Sequence, residues 1–203
     1  MRPWPPWAIA PRDAIVAHSL GGFTGTLLAD RVPTELLVLV TAVIARPGES
    51  AGDWWANTGH GEAFRAQATR DGIPLDEDPS DAHTYYQGVP DELVAGAEAD
   101  VRGQSGTPFD AAWPLDAWPA VPTHVVLCTE DRFFPAPFMR ELVTDRLDPA
   151  TPVTELPAGH LPMLSHPTEL AAILDRAWAV RRPSGRRRSS RPGAAAPGRA
   201  GRR

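Results

Sequence analysis

Ile15-Val16-Ala17-His18-Ser19-Leu20-Gly21-Gly22 is the stretch whose reading decides the fold. Ile15 and Val16 supply a short strand. Gly21, Gly22 and Gly25, with Leu27 and Leu28 further on, read as a helix pressed against a sheet. A strand–turn–helix of this kind lifts a serine hydroxyl above a parallel β-sheet and holds it in a sparsely populated backbone conformation. The residues two before and two after the serine must be small, a demand met by Ala17 and Gly21. The pentapeptide alone also fits a plain glycine-rich turn whose serine does no chemistry.

Two distant segments add to it. Val121–Thr129 is an apolar, β-branched run ending at Glu130-Asp131, which puts a carboxylate at the C-terminal end of a strand. A second short strand, Pro152–Leu156, leads into Pro157-Ala158-Gly159-His160. Serine, acid and histidine thus occur in that order, each at the carboxyl end of a predicted strand, where open α/β sheets place their sites. A histidine so placed takes the serine proton, and the acid fixes the imidazole tautomer and stabilises the imidazolium. Taken singly, Asp131 also suits a helix cap and His160 an ordinary loop.

With these stretches in view, the chain resembles the α/β-hydrolase superfamily, in the branch of plant methyl-ester esterases and hydroxynitrile lyases. The resemblance rests on Val16-Ala17-His18-Ser19-Leu20-Gly21-Gly22, on Thr129-Glu130-Asp131 with Pro135, Phe138 and Arg140, and on Gly159-His160 with Leu164 and Pro167. It spans roughly residues 13 to 180. It implies Ser19 as nucleophile, Asp131 as acid, His160 as base and the backbone N–H of Leu20 as an oxyanion donor. Hydroxynitrile lyases of this type carry a lysine directly after the histidine. Here that position is Leu161, and the chain has no lysine at all. An ester hydrolase is the better fit.

The resemblance also implies a three-layer α/β fold with a mainly parallel sheet and helices on both faces. Four consecutive strands are expected, at 13–18, 35–44, 123–129 and 152–156. The family's earlier strands, and the loop that supplies a second oxyanion N–H, have no counterpart before residue 13. The expectation is therefore a truncated chain in which the serine-bearing strand is an exposed edge, open to self-association. Met1–Arg12, with its prolines and two tryptophans, reads as an irregular arm.

Between Pro47 and Ala120 the strand-like runs stop and short helical pieces appear, such as 61–70 and 90–102. The family places a helical cap here, and the segment is rich in aromatic residues, including Trp54, Trp55, Phe64, Tyr85, Tyr86, Phe109, Trp113 and Trp118. Apolar, aromatic walls suit a small hydrophobic ester. For each aromatic taken singly, packing of cap onto core is the plainer role.

Composition narrows the classes. At 203 residues and 42% hydrophobic, the chain fits one globular domain. No apolar run spans a bilayer, and nothing near the start reads as a secretory signal, so a cytoplasmic location is expected. The single cysteine, Cys128, excludes an internal disulfide framework. Residues 181–203 hold nine of the twenty arginines and no acid, leaving the first 180 residues strongly acidic. That Arg-rich segment lacks apolar periodicity and reads as a disordered tail. With no interleaved aromatics, it does not suggest a nucleic-acid partner.

Other chemistries lack their residues. No H-E-x-x-H occurs, and one cysteine cannot complete the zinc-deaminase pattern that His60-Gly61-Glu62 begins. A phosphate loop needs the missing lysine. No metal and no cofactor are expected. Two functions remain: a carboxylesterase-like serine hydrolase acting on small hydrophobic esters through an acyl-enzyme, or a non-catalytic remnant that binds small molecules at most.

Overall fold

The computed structural model describes residues 13–74 and 76–181. The expected arm at 1–12 and all but the first residue of the expected tail lie outside this range. Arg181, assigned to the tail on composition, is the last residue of a helix.

Among the described residues four strands form one parallel sheet in the order β1 (Asp13–Ser19), β2 (Thr34–Ala42), β3 (Thr123–Cys128) and β4 (Val153–Leu156). All four expected strands are present, with boundaries shifted by a residue or two. The central strands β2 and β3 are buried on both faces, which is why Leu36–Val40 and Val125–Cys128 are unbroken apolar runs. β1 lies at an edge and alternates. Ala17 is buried and Ile15 packs beside it, whereas Val16 on the opposite face is 50% exposed.

Helices cover the sheet on both sides. On one face α1 (Gly21–Arg31) and α7 (Ala136–Arg146) pack against Ala17, Leu37, Leu39, Val125 and Leu127. On the other, α9 (Pro167–Arg181) presents Leu170, Ile173 and Ala177 to Leu36, Val38, Val40 and Val126. Parallel neighbours need crossovers, and α1 and α7 provide them for β1–β2 and β3–β4.

Between β2 and β3 the described residues form five short helices: α2 (Ala51–Thr58), α3 (His60–Arg70), α4 (Asp81–Thr84), α5 (Asp91–Asp100) and α6 (Thr107–Asp110). Their starts are written in the sequence. Ser50 caps α2 by accepting from Asp53 N at 3.0 Å, and the Asp53 carboxylate accepts from Ser50 N at 3.2 Å, a reciprocal capping box. Trp54 and Trp113 anchor this segment. Both are buried, and their indole N–H groups donate to Ile44 O and Thr26 Oγ1 at 3.1 Å each. Their role is packing. A short α8 (Pro162–Ser165) precedes α9.

Candidate active site

Ser19 ends β1, with α1 beginning two residues later. Its φ is 52°, in the left-handed region that non-glycine residues rarely occupy. Close packing enforces that turn. A β-carbon on Gly22 would lie 2.0 Å from the Val43 carbonyl oxygen, and one on Gly25 would lie 2.5 Å from the Ala17 β-carbon. The small residues demanded by the turn are therefore Ala17, Gly22 and Gly25. Gly21, expected to be one of them, is the first residue of α1 and has open space around the position of a β-carbon.

The three chemistry-bearing residues foreseen in the sequence meet. Ser19 Oγ lies 3.0 Å from His160 Nε2, and His160 Nδ1 lies 2.8 Å from Asp131 Oδ2. Since a carboxylate only accepts, Nδ1 carries the proton and Nε2 is left to accept from the serine hydroxyl. The other carboxylate oxygen, Oδ1, accepts from the backbone N–H groups of Phe133 and Phe134 at 2.9 Å each. Thr41 Oγ1 donates to Oδ2. The Asp131 side chain is fully buried, and both of its oxygens accept hydrogen bonds, as a buried polar group requires.

Loops at the carboxyl ends of the strands bring the groups into range. Thr129 N and Glu130 N donate to Leu156 O and Ala158 O, tying the acid loop to the histidine loop. His18 donates from Nε2 to the backbone carbonyl of His160 at 2.7 Å. Burial, with help from the neighbouring His160, lowers the His18 pKa to about 4, so its ring is a neutral donor. Leu20 is the N-cap of α1, at the helix end where unpaired N–H groups and the positive end of the dipole gather.

Rings surround His160. Phe133, Phe134 and Tyr85 have centroids 5.2, 5.4 and 5.6 Å from its own. Tyr85 belongs to the inserted segment, and burial, reinforced by Asp81 and Asp131, raises its phenol pKa and keeps it neutral. His60 is buried among Trp54, Trp55, Phe133, Phe134 and Phe138 and donates to Phe133 O at 2.7 Å. It thus ties the insertion to the acid loop. Among the described residues no group of histidine, cysteine and carboxylate side chains is arranged to hold a metal.

Sequence reasoning missed Thr41. The available signal was its polarity, since it interrupts the otherwise apolar run Leu36–Ile44.

Comparison with known proteins agrees with this fold. A model of the alpha/beta hydrolase family matches residues 7–173. No curated protein matches the chain. Among solved structures, a methylesterase from Arabidopsis is 22% identical with a TM-score of 0.63, the match covering 88% of this chain and 72% of that one. Polyneuridine aldehyde esterase is 20% identical with a TM-score of 0.62, over 86% and 74% of the two chains. A pyrethroid hydrolase from Sphingobium faniae JZ-2 is 23% identical with a TM-score of 0.59, over 82% and 70%. At these identities the likeness is one of fold.

Proposed function

The chain belongs to the alpha/beta hydrolase family, and from that premise we propose that it is a carboxylesterase-like serine hydrolase acting on small hydrophobic esters. The observation that carries this reading is the continuous hydrogen-bonded line Ser19 Oγ–His160–Asp131 beginning at a serine with a left-handed backbone. The alternative of a non-catalytic remnant requires a site that fails to assemble, and this geometry speaks against it.

In the proposed cycle Ser19 Oγ attacks the ester carbonyl carbon as its proton passes to His160 Nε2. The carbonyl oxygen becomes an oxyanion facing the Leu20 N–H. On collapse the C–O bond to the leaving group breaks, and the alcohol departs with the proton from His160. Water, deprotonated by His160, attacks the acyl-enzyme, and the acid product leaves as Ser19 regains its proton. Asp131 holds the imidazole in the required tautomer throughout. The reading needs neither metal nor cofactor.

Residues 13–180 form the catalytic domain in this proposal, with 47–120 as a cap whose Tyr85 walls the substrate space beside His160. The location proposed is cytoplasmic, and among the described residues no helix is long and apolar enough to cross a membrane. β1 pairs only with β2 in the described sheet, and its open edge supports self-association.

A fluorophosphonate probe tests the central claim. Wild-type protein is expected to label covalently and Ser19→Ala not at all, in parallel with hydrolysis of p-nitrophenyl acetate. Folded wild-type protein that neither labels nor hydrolyses would overturn the reading.

A further inference from the structure

Thr41 sits oddly for a residue in the middle of an apolar strand. Along β1 and β2, His18 pairs with Val40 and Ser19 pairs with Ala42, so Thr41 is an extra residue with no partner. Such a bulge re-aims a side chain and is frequent beside active sites. Here it reverses the alternation of β2. Leu37 and Leu39 face the side covered by α1 and α7, and Ala42 resumes that face in place of Thr41. The Thr41 φ is 36°, in a region where a β-branched side chain is crowded. The residue is fully buried. Strain of this kind persists only where the surroundings impose it.

The bulge delivers a hydroxyl to the catalytic carboxylate. Two backbone N–H groups occupy Oδ1 of Asp131, and Oδ2 receives both His160 Nδ1–H and Thr41 Oγ1–H. The backbone donors fix one end of the carboxyl group. Thr41 holds the other end, where the imidazole must bind.

We propose that Thr41 is a positioning residue of the triad, its hydroxyl orienting Asp131 so that Oδ2 stays directed at His160 Nδ1. This role deepens the hydrolase reading and rests on it. The competing idea is that Thr41 only fills space, and the two ideas predict opposite rankings of two substitutions. Thr41→Val keeps the shape and loses the hydroxyl. Thr41→Ser keeps the hydroxyl and loses a methyl group.

The experiment uses the full chain, with p-nitrophenyl acetate turnover, fluorophosphonate labelling and the ¹H NMR resonance of the His160 Nδ1 proton as readouts. A hydrogen bond to a charged group is worth roughly a 10- to 100-fold change. Thr41→Val should therefore lower kcat and the labelling rate by about that factor, with KM held within about twofold. Thr41→Ser should recover most of the rate. Thr41→Gly, which relieves the left-handed backbone but removes the hydroxyl, should lose as much kcat as Thr41→Val. The Nδ1 resonance should move in the valine and glycine variants and hold its position in the serine variant. A valine variant with wild-type kcat, or a serine variant as slow as the valine one, would overturn the role. If wild-type protein neither labels nor turns over, the hydrolase reading fails by itself. The resonance then still decides: an unmoved signal in Thr41→Val refutes the positioning, and a moved one upholds it.

Discussion

His18 and His160 are joined side chain to backbone, the Nε2–H of the first donating to the carbonyl of the second at 2.7 Å, with ring centroids 4.9 Å apart. The residue beside the nucleophile therefore anchors the loop that carries the base. His18 is neutral in this setting, since burial, with the neighbouring His160, holds its pKa near 4 against an ordinary 6.5. Between these values the unfolded chain binds a proton that the folded chain refuses. Stability from this group is complete above about pH 6.5 and is lost as the pH falls toward 4. The interval corresponds to roughly 3 kcal/mol. Burial also lowers the pKa of His60, which adds loss in the same direction. Urea melts at pH 7 and pH 5 should show a lower midpoint at pH 5, and His18→Phe should flatten that difference. An equal midpoint at both values would count against the account.

Gly22 faces the Val43 carbonyl with no room for a β-carbon. Because the obstacle is backbone, it cannot swing aside. Gly22→Ala should cost about 3 kcal/mol, at the upper end of overpacking, and should disturb the Ser19 turn. Gly21→Ala, in open space, should be close to neutral. Thermal melts of the two variants provide the contrast.

Gly159 brings the insertion against the base loop, since a β-carbon there would lie 2.7 Å from the Gln87 carbonyl oxygen. Gly159→Ala should push the two apart and misplace His160. A 1 Å displacement of a catalytic group is worth about 100-fold. The expected result is a fall in kcat larger than the loss of thermal stability would explain, read by comparing kinetics with melting of the same preparation.

Arg146 and Glu49 form a buried ion pair, bidentate at 2.5 and 3.1 Å, with both side chains almost wholly out of solvent. Arg146 also donates to Ile44 O at 2.8 Å. Burial alone would raise the Glu49 pKa, but hydrogen bonds from Arg146, Asn57 and Arg46 N outweigh it and hold the value below the ordinary one. Arg146→Ala strands the carboxylate and should destabilise by roughly 3–5 kcal/mol in denaturant melts. Arg146→Ala with Glu49→Gln should recover part of that loss.

Cys128 lies in β3, and burial, with the charge of Asp131 nearby, raises its thiol pKa to about 12. Only the thiolate alkylates readily. Iodoacetamide at pH 8 should leave the native protein unmodified and react fully in urea. Rapid modification of native protein would contradict the burial.

What the sequence determined by itself were the features that depend on local pattern. Doubly buried strands leave apolar runs, so β2 and β3 were legible, and the order of Ser19, Asp131 and His160 at strand ends named the triad before any distance was known. The small-residue demand around Ser19 was legible as a need for glycine, but which glycine it falls on depends on where Val43 lies. Only the tertiary structure decided what arises from register and from contacts across the chain. The bulge at Thr41 is a mismatch between two strands, invisible in either one alone. The His18–His160 bond joins residues 142 apart, and the seat of the insertion on Gly159 depends on backbone approach rather than residue type. Periodicity reports which face of an element is apolar; it carries no record of how far one strand has slipped along its neighbour.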